Sequence, residues 1–309
     1  MAFTTAGAPV GGLPTGEPPA ETPLAGRARR SWTPYLLLIP GLLFLFVFFG
    51  VPLFALASQS LQSRPPGAEL GVYEQTWSFS NYVDAVSQYR DHFIRSFAFA
   101  GAATVLALLI GYPLAYAIAF RAGRWRNVLL VLVIAPFFTS FILRTIAWKQ
   151  ILADEGPVVA VLKDLHLLAP DGRLLGTSIA VIAGLTYNFL PFMTLPIYAS
   201  LERLDVRLIE AGGDLYASPW TAFRKVTLPL SMPGVVAGTL LTFIPAAGDY
   251  VNAALLGNPS TSMIGNVVDS RFFRVVDYPT AAALSFVLMA IILVFVLVYV
   301  RRAGTDELV

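Results

Sequence analysis

The chain has no cysteine, only two histidines and little charge: Asp, Glu, Lys and Arg together make up 13% of its 309 residues. Without cysteine there is no disulfide, no thiolate metal site and no cysteine nucleophile. His92 and His166 stand apart in polar stretches. Each is expected to be a solvated loop residue, because metal sites need clustered donors. Lysine is confined to Lys149, Lys163 and Lys225. The net charge is +2 and no basic stripe appears, so nucleic acid is not an expected partner. No Gly-x-x-x-x-Gly-Lys-Ser/Thr loop occurs, so the chain does not bind ATP by that device. No Ser/His/Asp constellation or carboxylate pair falls in an apolar stretch. No catalytic residue, metal or cofactor is therefore expected.

What the chain has is apolar length. Hydrophobic residues make up 56% of it, and soluble domains carry about twice its charge fraction. Apolar runs lie near Tyr35–Ala57, Phe93–Phe120, Val128–Trp148, Ser178–Ala199, Gly234–Asn252 and Pro279–Val300. Each is long enough to cross about 30 Å of hydrocarbon as a helix. The expected fold is an all-α membrane protein with six transmembrane helices. Ala55-Leu56-Ala57 has the look of a signal-peptidase site. The run before it is about twice the length of a signal core, so an uncleaved first span is expected. Residues 1–30 begin rich in Pro, Gly, Ala and Thr and read as a disordered tail. Residues 31–302 form the membrane domain and 303–309 a short tail. Ser80 is expected to cap a short amphipathic helix beginning at Asn81.

Orientation follows from arginine and lysine. With the N-terminal tail in the cytoplasm, the inner segments hold twelve basic residues against nine outside, although the outer segments are longer. The bias is clearest in the short loop Arg121–Asn127 and at Arg301-Arg302. Both termini are thus expected to be cytoplasmic. Segments of about 58–92, 149–177 and 253–278 lie outside, and a charged island of 200–232 lies inside. Arg95, Arg144 and Asp249 fall near outer span ends, and span interiors are almost free of charge. Ion-coupled carriers usually hold ionisable groups at mid-membrane. The energy for any transport is therefore expected from another subunit.

The charged island reads as two short helices. Leu204, Leu208, Ala211 and Leu215 form one apolar stripe over Arg203–Tyr216, at steps of four, three and four. Arg203, Arg207, Glu210 and Asp214 occupy the adjoining face. Ser218-Pro219 reads as an N-cap with proline at the first helical position. A second helix then runs Pro219–Val226, ended by Leu228-Pro229, and Pro233-Gly234 leads into the fifth span. The residues alone allow a solvated hairpin linking two spans. Their order is more specific. Glu210-Ala211, Ala217-Ser218, Phe223, Val226, Leu228-Pro229 and Pro233-Gly234 resemble the Glu-Ala-Ala loop of bacterial ABC-importer permeases. That family pattern has alanine where this chain has Gly212 and a turn glycine where it has Tyr216. A left-handed turn costs tyrosine about 1 kcal/mol or more. So either the turn has a different geometry here or Gly213 absorbs the bend.

The resemblance implies a permease subunit of a bacterial inner-membrane importer, forming half a translocation pathway. It implies an ABC ATPase dimer, a second homologous permease and an extracytoplasmic solute-binding protein as partners. A coupling loop over about 203–226 would dock on the ATPase through Glu210, Ala211, Gly212, Gly213, Asp214, Leu215, Tyr216, Ala217 and Trp220. Two further segments, Pro136–Trp148 and Ile244–Gly257, resemble the polyamine (spermidine and putrescine) branch of the family. A small cationic solute is therefore expected, with another organic solute as the alternative. Asp249 and Tyr250 near the outer mouth of the fifth span, and Trp148 at similar depth in the third, are the candidate pathway residues. A carboxylate with aromatic faces suits an ammonium group. The same residues also suit plainer roles. Trp148 and Tyr250 could anchor at the membrane interface, and Asp249 could pair with Arg144 or cap a helix. An ion-coupled carrier, or a scaffold moving no solute, is the contrasting class.

Overall fold

The computed structural model describes residues 33–214, 216 and 218–303. The two expected tails fall almost wholly outside these. Its contacts divide the chain into two units, Met1–Pro52 and Leu53–Val309. The described part of the first unit holds α1 (Thr33–Leu45) and a π-helical turn, Phe46–Gly50. Phe44 and Phe48 pack ring on ring at 4.7 Å. Helix α2 covers Val51–Ser60. Leu36–Ser60 is long and apolar enough to cross a membrane.

In the second unit a two-residue antiparallel ladder, β1 (Gln62–Ser63) with β2 (Glu74–Gln75), closes a loop before α3. Helix α3 (Ser80–Phe120) has 41 residues. At 1.5 Å per residue it is about 60 Å long, twice the hydrocarbon thickness. A break at Tyr89 (φ −111°, ψ 16°) separates its first turns from its apolar part. The short helix expected at Asn81 is thus the start of this long one, and Phe79, not Ser80, stands before it with no side-chain cap. His92 belongs to α3 rather than to a solvated loop. Its ring meets Tyr89 at 5.9 Å, and its Nδ1 is buried without a partner.

A 3-10 turn over Gly123–Trp125 leads into α4 (Arg126–Ile134), a second 3-10 turn, Ala135–Phe138, and then α5 (Phe141–Ile151). The third span, expected over Val128–Trp148 with Pro136 inside it, is bent by 99° between Phe138 and Phe141. Pro136 lacks an N–H for the helical ladder. Thr139 turns extended (φ −110°, ψ 151°), and its hydroxyl donates to the Pro136 carbonyl at 2.8 Å. Helix α6 (Pro157–Asp164) follows, then α7 (Ser178–Glu202), which carries Pro191 and Pro196 inside it. Helix α8 (Val206–Asp214) is shorter than the expected Arg203–Tyr216.

Helix α9 (Pro219–Ala222), a π turn over Phe223–Thr227 and α10 (Leu228–Leu230) run on as one helix. Leu228-Pro229 does not end it, since Pro229 stays within helical backbone directly after the π turn, a local adjustment that lets a helix absorb a proline. The bend comes instead at Ser231, where the chain turns by 63° into α11 (Met232–Ala247). The fifth span was expected to reach Asn252, but α11 ends at Ala247 and a separate helix, α12 (Val251–Leu256), begins. Helices α13 (Ile264–Asp269) and α14 (Tyr278–Ala303) complete the chain, joined through a π turn at Ser270–Arg274. Among the described residues four helices can span a membrane by length and composition, or up to six if each bent pair counts once.

The core lies where α3, α7 and α11 meet. Ala100, Ala103, Ala107, Gly111 and Ala115 make a stripe of small residues down α3, all buried. In lipid, helices associate by close backbone packing rather than by the hydrophobic effect, and small residues permit it. On α11, Gly234 and Gly238 repeat that logic four residues apart. A methyl group on Gly234 would sit 2.5 Å from the Pro196 carbonyl oxygen, and one on Gly238 2.9 Å from that of Met193. Tyr89 and Phe93 of α3 share a cluster with Ala283 and Leu284 of α14. Helices α3 and α14 therefore start at the same end, which puts Arg121 and Arg301-Arg302 together at the other.

Candidate functional site

Two regions carry the candidate residues, one at each end of the bundle. The first is the loop after α7. At its root the Arg126 guanidinium contacts the Glu202 carboxylate and donates to the Tyr198 hydroxyl, joining the start of α4 to the end of α7. The Asp205 carboxylate accepts the Arg207 N–H at 3.0 Å at the start of α8. The Ser218 hydroxyl accepts the Thr221 N–H at 3.2 Å, so Ser218 caps the second helix as its Ser-Pro sequence requires.

Glu210, Asp214, Tyr216 and Trp220 are exposed. Ala211, Gly212 and Gly213 lie within the backbone of α8, while Leu215 and Ala217 lie outside the described residues. Tyr216 is fully exposed and has φ +60°. The turn thus keeps the left-handed geometry for which glycine is suited, and a tyrosine adopts it. Behind this surface the loop is anchored. The Trp220 ring stacks on Phe223 at 5.4 Å, and Phe223 meets Tyr112 edge-on at 5.6 Å. Phe223, Leu228 and Met232 pack against the buried cluster of Ile118, Ile197 and Leu201. The loop is thus packed directly against the ends of α3 and α7.

The second region surrounds the junction of α11 and α12. Asp249 is 8% exposed, and its carboxylate accepts the Asn252 N–H at 2.8 Å, capping α12. Asn252 in turn accepts from the Asn188 amide at 3.0 Å, which also donates to Thr145 at 3.2 Å. This buried polar chain ties α5, α7 and α12. The Asn188 Oδ1 and Asn252 Nδ2 in it are left without partners.

Arg144 does not pair with Asp249 among the described residues. Its guanidinium lies 5.7 Å from the rings of both Phe137 and Phe141. Trp148 packs on Tyr187 at 5.2 Å and against the central core. Tyr250 is exposed, and its carbonyl accepts from the Asn266 amide at 2.7 Å. It lines a groove of about 630 Å³ between α11, α13 and α14, together with Asp269, Phe273 and Met289. Of the three pathway candidates the groove receives only Tyr250. Asp269 is an acid that the sequence reading passed over, because it falls in a stretch assigned to the outer solvent.

The family described as the binding-protein-dependent transport system inner membrane component matches residues 30–303. The spermidine/putrescine transport system permease protein PotB of Haemophilus influenzae is 36% identical over 272 residues, which is 88% of this chain and 90% of that protein. PotB of Escherichia coli K12 is 35% identical over 266 residues, 86% of this chain and 95% of its own. A solved bacterial ABC transporter for import of the acidic polysaccharide alginate has the same fold. Its TM-score is 0.65 at 18% identity, covering 90% of this chain and 97% of that one.

Proposed function

The chain belongs to the binding-protein-dependent transport inner-membrane component family, and from that premise we propose that it forms half the translocation pathway of an importer for polyamines of the spermidine and putrescine kind. It is a non-catalytic, multi-pass permease subunit of an ABC importer in a bacterial inner membrane. The observation that carries the choice of solute is its 35–36% identity to PotB over 86–88% of the chain.

In the proposed arrangement the chain crosses the membrane six times with both termini in the cytoplasm. Each bent pair, α4 with α5 and α9–α10 with α11, serves as one crossing. A second, homologous permease supplies the other half of the path. A loaded binding protein docks on the outer segments. An ATPase dimer docks on residues 203–226, with Glu210 meeting a basic residue and Tyr216 and Trp220 filling an apolar groove. Closure of the ATPase pushes this loop, and the anchoring of Phe223 and Leu228 carries the push to α3 and α7. The bundle alternates between inward and outward access, and hydrolysis resets it.

The test is uptake of labelled spermidine and putrescine into proteoliposomes holding this chain, its neighbouring permease and the ATPase, with loaded binding protein outside. Uptake is expected to require internal ATP. Glu210→Arg should reduce it at least tenfold while the complex still inserts, because it reverses a charge on the docking face. Stimulated hydrolysis without polyamine flux would keep the importer and discard the solute. Uptake by Glu210→Arg at the normal rate would discard the coupling role.

A further inference from the structure

We propose that Asp269, with Tyr250 and Phe273, forms an ammonium-binding station in the groove between α11, α13 and α14, and that the solute's cationic end rests there in transit. The site deepens the importer reading and rests on it for the path across the membrane. Asp249 is poorly placed for the task. Its carboxylate is nearly buried and holds the Asn252 N–H. A methyl group on Gly265 would sit 2.5 and 2.9 Å from the Gly248 and Asp249 carbonyl oxygens, so the backbone beside Asp249 is closely packed.

Asp269 differs on each count. It lines an open groove and is half-buried. Among the described residues it forms neither a salt bridge nor a side-chain hydrogen bond; Arg271, two residues on, turns to Asp277 and to the Tyr89 ring. Its carboxylate is the one acidic group among the residues lining this groove, and it attracts a cation that enters.

The rest of the groove fits the other half of such a solute. Tyr250 and Phe273 are exposed aromatic residues that line the same groove, suited to ammonium groups by cation–π attraction. Ile244, Leu288, Met289 and Ile292 line the remainder, an apolar surface for the methylene links between amines. A volume of about 630 Å³ lies within the usual range for small-molecule sites. One carboxylate, rather than several, holds a cation weakly enough to let it leave.

The absence of cysteine makes a direct test available. Met289→Cys places the chain's sole thiol in the groove of the assembled importer. Its reaction with a trimethylammonium-bearing methanethiosulfonate is compared with that of a sulfonate-bearing one, in the ATP-bound and nucleotide-free states. The cationic reagent is expected to react faster by on the order of tenfold, as one nearby carboxylate would produce. Adding Asp269→Asn should abolish the preference, adding Asp269→Glu should retain it, and saturating spermidine should slow the reaction.

No reaction with either reagent in either state would place the groove in lipid or under a partner, and would overturn the proposal. So would a charge preference that survives Asp269→Asn. A preference lost with Asp269→Asn but indifferent to spermidine, in a complex that carries no spermidine, would uphold the cation station and overturn the polyamine reading.

Discussion

Tyr216 is a residue whose conformation works against its chemistry. Its φ of +60° costs an L-residue with a side chain about 1 kcal/mol, and its ring is fully exposed among the described residues. The cost is reasonable if the ring gains its contacts on the ATPase. Two substitutions separate these effects. Tyr216→Gly removes both ring and strain, whereas Tyr216→Ala removes the ring and keeps the strain. Both are expected to cut binding-protein-stimulated ATP hydrolysis several-fold and equally. Only Tyr216→Gly should slow amide exchange in the loop, by up to about fivefold, since 1.4 kcal/mol is a factor of ten and about 1 kcal/mol is at stake. Full hydrolysis by Tyr216→Ala would remove the ring from the docking surface. The sequence showed that this turn departs from the family's glycine, but not which way the backbone would go. Both readings offered for it avoided the strain, and the structure keeps it. Asp249 and Asp269 teach the same limit. Each is an acid near an apolar run, and only the tertiary fold shows that one caps α12 while the other faces a groove.

At the level of elements, long apolar runs were legible because hydrocarbon thickness sets their length. Helix α7 begins at the expected Ser178, and α14 begins one residue before the expected Pro279. Breaks were less legible, because proline bends one membrane helix and is absorbed in another. Pro136 precedes a 99° turn, yet Pro191 and Pro196 stay inside a helix. The bend at Ser231 has its own device. The Ser231 hydroxyl donates to the Leu228 carbonyl at 3.0 Å and shares a hydrogen bond with the Tyr112 hydroxyl at 2.8 Å. Tyr112 also meets Phe223, so one α3 side chain touches both the helix of Pro219–Leu230 and the bend at Ser231. Tyr112→Phe deletes the shared bond, at a cost of about 1 kcal/mol, and leaves the ring in place. Solute carried per ATP hydrolysed is expected to fall at least twofold, with insertion and assembly unchanged. Ser231→Ala should do the same. The double variant should add little to either alone, because both remove one interaction. Fully additive losses would show that the two residues act separately.

For the whole molecule, the bent pairs decide how often the chain crosses the bilayer. Crossing once, the α4–α5 pair puts the Arg121–Asn127 turn and the 149–177 segment on opposite sides; entering and returning, it puts them on the same side. Charge favours the crossing. Arg121, Arg124 and Arg126 crowd the short turn, at the end of the bundle that also holds Arg301 and Arg302, and basic loops stay in the cytoplasm. Since the chain has no cysteine, each engineered thiol reports alone. Arg124→Cys, Asp171→Cys and Asp214→Cys all replace exposed residues. In intact spheroplasts an impermeant maleimide is expected to label Asp171→Cys and to reach the other two only after permeabilisation. Labelling of Arg124→Cys together with Asp171→Cys would make the α4–α5 pair re-entrant. The coupling loop then adds its own constraint. Helix α7 is uninterrupted and long and apolar enough to cross the membrane, and such a crossing puts Asp214 opposite Asp171 whatever α4 and α5 do. An ATPase can reach Glu210 only if that side is the cytoplasm, and ATPase docking should then shield Asp214→Cys from the reagent in inverted vesicles.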